Sequence, residues 1–167
     1  MIRAARTIAT LFGIGYLRPA PGTWGSAAAV PLGYLLHATL GFPGFAIVTL
    51  AVAALGWWAV SAVTAGHTDH DPGEIVIDEV VGQWIALLPA SAGFWQAGLD
   101  PWVFPAPGWV TAFLAFRLFD IWKPGPVGWA DRKAGPLGVM LDDVIAGAMA
   151  GVVVLVFAGI AHGVLGL

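Results

Sequence analysis

A chain of 167 residues with 59% hydrophobic and 10% charged side chains and a mean hydropathy of +0.84 falls outside the range of a water-soluble domain. It is read as one membrane-embedded domain over residues 1–167. Seven Lys and Arg against ten Asp and Glu give a net charge of −3, which argues against nucleic acid as a partner, and the absence of Cys excludes disulfides, thiolate metal sites and a cysteine nucleophile.

Residues 1–16 place Arg3 and Arg6 ahead of a short apolar run, which is expected as a helix lying in the membrane interface. Arg18 follows where a signal peptide would have a small-residue cleavage site, so no cleavable signal is expected. GYLRPAPGTWGS, residues 15–26, reads as a loop by its prolines and glycines, with Thr23 as N-cap of a first span over residues 24–40. Residues 41–44 turn the chain, and residues 45–65 form a second span without a single charge. Asp69, Asp71, Glu74, Asp78 and Glu79 then crowd ahead of an apolar run over residues 80–94, which puts Asp78 and Glu79 at the start of a third helix.

Residues 95–108, rich in Trp and Pro, are expected as an interfacial loop, and residues 109–119 as a short fourth helix ending near Arg117 and Asp120. Residues 123–140 read as a loop by their glycines and prolines, and a fifth span over residues 142–165 opens on Asp142 and Asp143. The fold expected is therefore all-α: an integral membrane bundle of about five embedded helices plus the N-terminal interfacial helix. Traced in sequence, this topology puts all seven Lys and Arg and nine of the ten acids on one face, leaving only Asp100 on the other. By the positive-inside rule the charged face is cytoplasmic. Avoidance of lipid explains charged loops, but topology bias together with a functional site also explains their asymmetry.

Asp78, Glu79, Asp120, Asp142 and Asp143 meet at helix ends on that face, where they would repel one another without a cation. Oxygen ligands alone select a hard ion, Mg²⁺ before Mn²⁺. A single acid pair at a helix N-terminus would be read as an ordinary dipole partner worth ~0.3–1 kcal/mol per residue, whereas two pairs with Asp120 favour a metal. Arg18, Arg117, Lys123 and Arg132, with Thr23, Ser26 and the backbone N–H groups that open the first span, suit a phosphate. Taken singly, each is equally a topology signal or a turn residue.

The remaining polar and aromatic residues are read as structural. His67 and His70, beside Asp69 and Asp71, belong to a solvated loop rather than a zinc site, and His37 and His162 lie toward the opposite face. Trp57, Trp58 and Trp84 are expected to pack inside spans, Trp95, Trp102 and Trp109 to form an interfacial belt, and Gly147 with Gly151 to allow close helix packing.

Four segments, PAPGTWGS (residues 19–26), EIVIDEVVGQW (74–84), FRLFDIWKPGPVGWAD (116–131) and GVMLDDVIAG (138–147), resemble in order and spacing the motifs of the phosphatidylglycerophosphatase A family. The resemblance extends over residues 12–159. It implies a Mg²⁺-dependent hydrolase of the bacterial inner membrane, acting on a phospholipid and converting phosphatidylglycerophosphate to phosphatidylglycerol and inorganic phosphate. Gly135-Pro136 departs from the Gly-Gly expected in the family, and Glu74 receives no role from it. Two routes stay open: attack by a metal-activated water, or an aspartyl-phosphate intermediate formed on Asp120. A small membrane transporter or cation-binding protein is the alternative class, disfavoured because the charges gather at one face rather than near the midplane.

Overall fold

The computed structural model describes residues 1–65 and 72–164, with side chains to position 161; His67, Asp69, His70, Asp71 and the side chain of His162 lie outside the described residues. The described residues are helical and contain no strand: α1 (Ile2–Ala9), a 3₁₀ turn (Ile14–Tyr16), α2 (Pro21–Thr64), α3 (Ile77–Gln96), α4 (Ala106–Trp122), α5 (Pro126–Asp131) and α6 (Pro136–Val164). Of these, α2 and α6 are long and apolar enough to cross a membrane.

As a straight rod the 44 residues of α2 would extend about 66 Å, but the helix doubles back. Gly41 leaves helical geometry at φ 64° and ψ −177°, a left-handed φ that costs a residue with a Cβ about 1–2 kcal/mol. Along the first arm Gly25 approaches Val76, Gly33 meets Trp84 and Leu87, and His37 bonds Ser91, so this arm runs in the direction of α3. Along the second arm Phe45 packs on Trp84 and Gly56 faces Ile77, so this arm runs back. The turn expected at residues 41–44 is present. Trp84 ties the two arms together, because its indole N–H donates to the Ala29 carbonyl at 2.8 Å while its ring meets Phe45 edge-on at 5.8 Å.

The element against which α2, α4 and α6 all pack is α3. It approaches the backbone of α6 closely, where a Cβ on Gly147 would lie 2.3 Å from the Gly82 carbonyl oxygen. Gly151 likewise packs against Pro89, so the two small residues serve helix contact within the chain. At the start of α3 the Val76 N–H donates to the Ala9 carbonyl at 2.9 Å, and Gly15 fits against the Glu74 carbonyl, which docks the N-terminal segment beneath that helix end.

Several expected boundaries and roles move. Helix α2 starts at Pro21 with Ala20 as its N-cap residue, so Thr23 lies inside the first turn and caps nothing. The segment expected as a loop over residues 123–140 contains α5 and the first turn of α6, because Pro126 and Pro136 sit where a missing N–H costs no hydrogen bond and a fixed φ favours the helix. Asp142 and Asp143 thus occupy the second turn of α6 instead of opening it. Trp109 is fully buried among Tyr34, His37, Phe45 and Phe104 and is not interfacial, whereas Trp57 and Trp58 are exposed rather than packed. Trp84 is buried, and Trp95 and Trp102 are exposed.

Candidate active site

Three helix segments converge near the N-terminal end of α3. The first turn of α3 contributes Asp78 and Glu79, the second turn of α6 contributes Asp142 and Asp143, and the last turns of α4 contribute Arg117 and Asp120. The convergence depends on small residues at the crossings. A Cβ on Gly82 would lie 2.6 Å from the Asp143 carbonyl oxygen and 2.5 Å from Cε2 of Phe116, so that glycine lets α6 and α4 close on α3 together. Gly22, in the first turn of α2, lies against the Glu79 carboxylate, where a Cβ would come within 2.1 Å of Oε1.

The acids form two overlapping triads. One carboxylate oxygen from each of Asp78, Glu79 and Asp143 lies within 4.8 Å of the others, and so does one from each of Asp120, Asp142 and Asp143. Asp143 belongs to both. Asp78, Asp142 and Asp143 are buried, and Glu79 Oε2, Asp142 Oδ1 and Asp143 Oδ1 are enclosed without a hydrogen-bond partner. Negative oxygens held this close with no donor would be strongly unfavourable without positive charge. The donor set, all oxygen and anionic, fits one or two hard divalent cations.

The cations beside these acids are largely engaged already. Arg117 Nη1 pairs with Asp120 Oδ2 at 2.5 Å and donates to Ser26 Oγ at 3.3 Å, while Ser26 Oγ itself donates to the Gly22 carbonyl at 2.8 Å. Lys123 Nζ bridges Asp131 and Asp142, the latter at 2.7 Å. Burial alone would lower the Lys123 pKa, but its hydrogen bonds and charge attraction to the two carboxylates outweigh burial and hold it above its ordinary value.

A cavity of about 290 Å³ opens over the cluster, reached by Asp78, Glu79, Asp120, Lys123, Asp142 and Asp143. Asp131, Lys133, Gly135 and Gly138 complete its wall on the α5–α6 side. All five acids expected from sequence therefore meet, with Lys123 among them and Arg117 paired to Asp120. Arg117 and the remaining expected phosphate contacts do not line the cavity: Arg117 stands beside Asp120, Arg18 and Arg132 are exposed, Thr23 is half-buried, and Ser26 is buried and accepts from Arg117.

Asp131 and Lys133 are cavity residues that sequence reasoning passed over, because a six-residue helix between prolines leaves no periodic signal. The available clue was charge density alone, with Asp131, Arg132 and Lys133 adjacent in an apolar chain. Gly135 has φ +74°, and a Cβ on Gly138 would lie 2.0 Å from the Lys133 carbonyl oxygen. Pro136 in place of a second glycine therefore falls at the start of a helix, where it is compatible with the backbone.

The sequence profile of Phosphatidylglycerophosphatase A matches residues 7–158. A Phosphatidylglycerophosphatase A of Haemophilus influenzae is 39% identical over 159 residues, covering 95% of this chain and 90% of that protein. One of Escherichia coli K12 is 35% identical over 144 residues, covering 85% of this chain and 76% of its own. No solved structure matches.

Proposed function

The chain belongs to the phosphatidylglycerophosphatase A family, and from that premise we propose that its acid-lined cavity hydrolyses the terminal phosphate of phosphatidylglycerophosphate, giving phosphatidylglycerol and inorganic phosphate. What supports the chemistry most directly is the pair of triads sharing Asp143, with three enclosed and unpartnered carboxylate oxygens. Asp78, Glu79, Asp120, Asp142 and Asp143 would hold Mg²⁺. When bound, the ion supplies charge neutralisation at the phosphoryl oxygens and an acidified water.

The chain's own groups do the rest. One carboxylate of the cluster takes the proton of the attacking water as its oxygen bonds phosphorus, and the bond from phosphorus to the glycerol oxygen breaks as that oxygen receives a proton from the same carboxyl group or from water in the cavity. Lys123 and Arg117 balance charge on the equatorial phosphoryl oxygens, and their ion pairs to Asp142 and Asp120 hold them in place for it. In an aspartyl-phosphate route Asp120 would attack phosphorus through its second oxygen while Oδ2 stays with Arg117; direct attack by water needs no such covalent intermediate and is the route we favour.

In this reading the two arms of α2, with α3, α4 and α6, cross the bacterial inner membrane, and α1 lies along its cytoplasmic face. Exposed Leu50, Leu114, Leu118, Val152, Leu155 and Phe157 support lipid as the surrounding medium, since such surfaces in water are an aggregation hazard. A reporter fused after Leu167 is expected to be active in the periplasm and silent in the cytoplasm. Cytoplasmic activity would mean an even number of crossings.

Substrate choice tests the function itself. Acyl chains gain little by moving from lipid to an apolar helix surface, so discrimination rests on the headgroup. Phosphate release in detergent micelles is expected to rank phosphatidylglycerophosphate above phosphatidic acid, and phosphatidic acid above soluble glycerol 3-phosphate. A preference for soluble glycerol 3-phosphate would overturn the interfacial site.

A further inference from the structure

We propose that Lys133 binds the internal phosphodiester of the lipid headgroup and so sets selectivity for a substrate with two phosphates; this rests on the phosphatase reading above. A headgroup of that kind presents a terminal phosphomonoester and, one glycerol away, a phosphodiester carrying its own negative charge. The acid cluster accounts for the first group only. A second anion entering a cavity walled by carboxylates needs a cation not already committed to one of them.

Among the described residues Lys133 is the cavity-lining cation without an ion pair. Lys123 is shared between Asp131 and Asp142, and Arg117 is held by Asp120. Instead, Lys133 Nζ rests over the ring of Trp129, 3.9 Å from its centroid, and that ring is half exposed on α5. Its backbone is fixed: the Lys133 N–H donates to the Ala130 carbonyl at 2.9 Å, and its own carbonyl packs on Gly138 in the first turn of α6. A fixed backbone under a four-carbon side chain gives Nζ a limited arc, from the Trp129 face to the cavity. At an exposed site the cation–π contact is weak beside a charge-assisted hydrogen bond to phosphate, so an arriving phosphodiester can draw the ammonium off the ring. Resting on Trp129 also keeps the lysine away from Asp142 and Asp143, which would otherwise neutralise it.

The test compares Lys133→Ala and Lys133→Arg with the parent protein on phosphatidylglycerophosphate and on phosphatidic acid, in mixed micelles at matched surface concentration. Loss of one charged hydrogen bond predicts that Lys133→Ala raises KM for the two-phosphate lipid about ten-fold with little change in kcat. Phosphatidic acid has no phosphodiester, so the ratio of kcat/KM between the two lipids should fall about ten-fold as well. Lys133→Arg, which keeps the charge and can also stack on Trp129, should restore most of the ratio. An unchanged ratio in Lys133→Ala, or equal losses on both lipids, would overturn the assignment while leaving the phosphatase reading in place. Failure of the parent protein to hydrolyse either lipid would overturn both.

Discussion

Asp143→Asn is expected to reduce phosphate release by about 1,000-fold, roughly 4 kcal/mol of barrier at ~1.36 kcal/mol per factor of ten. No other carboxylate takes part in both triads, so this substitution removes an anionic ligand from each at once. The amide is close in shape, but it brings an N–H₂ donor into a site of anionic oxygens and takes away the charge that would hold a cation. The loss should not come from unfolding. With no metal bound, removing one of several mutually repelling buried carboxylates should leave thermal stability equal or higher. Asp100→Asn, in the loop between α3 and α4 and outside the cavity, should behave like the parent protein. Phosphate release and Mg²⁺ calorimetry on both variants check this; parental turnover and Mg²⁺ affinity in Asp143→Asn would refute the role given to the shared carboxylate.

Gly147→Val acts on the same site from outside it. A Cβ at 2.3 Å from the Gly82 carbonyl meets backbone, which cannot rotate away, so α6 and α3 must separate. Overpacking at such a crossing typically costs ~1–3 kcal/mol. Separation there also draws Asp143 away from Asp78 and Glu79, and misplacement near 1 Å in such a site can cost on the order of 100-fold in rate. Turnover and thermal midpoint should therefore both fall. Gly159→Ala, also in α6 but with nothing within 4 Å of the added Cβ, should change neither by much. If Gly147→Val kept full activity, the close α3–α6 approach would not be what positions the acids.

The parts legible in sequence were those marked by abrupt changes of composition. Asp78 and Glu79 precede a largely apolar run without charge, so their place in the first turn of α3 follows from the pattern alone. Gly41 to Gly44 interrupts an apolar stretch too long for one crossing, which made the hairpin of α2 foreseeable. The pattern puts Asp142 and Asp143 six residues too near their helix start, because Gly135, Pro136 and Gly138 look like loop residues. In the structure the first is a left-handed turn, the second the opening of a helix and the third a close backbone approach.

What pattern could not supply was the pairing of charges. Arg117 and Asp120 pair locally at i,i+3 on α4, whereas Lys123 reaches Asp131 and Asp142 only because α5 folds between them. Trp109 shows the same limit: next to a Pro-rich loop it resembles an interfacial anchor, and it is enclosed only when both arms of α2 and Phe104 pack around it.

Phosphate released from phosphatidylglycerophosphate by the purified protein in detergent, with Mg²⁺ and again after chelation, tests the central claim most directly. The expected result is steady release with the ion, loss on chelation and recovery when Mg²⁺ is restored. Equal release under both conditions, or none under either, would contradict a Mg²⁺-assisted lipid phosphatase built on Asp78, Glu79, Asp120, Asp142 and Asp143.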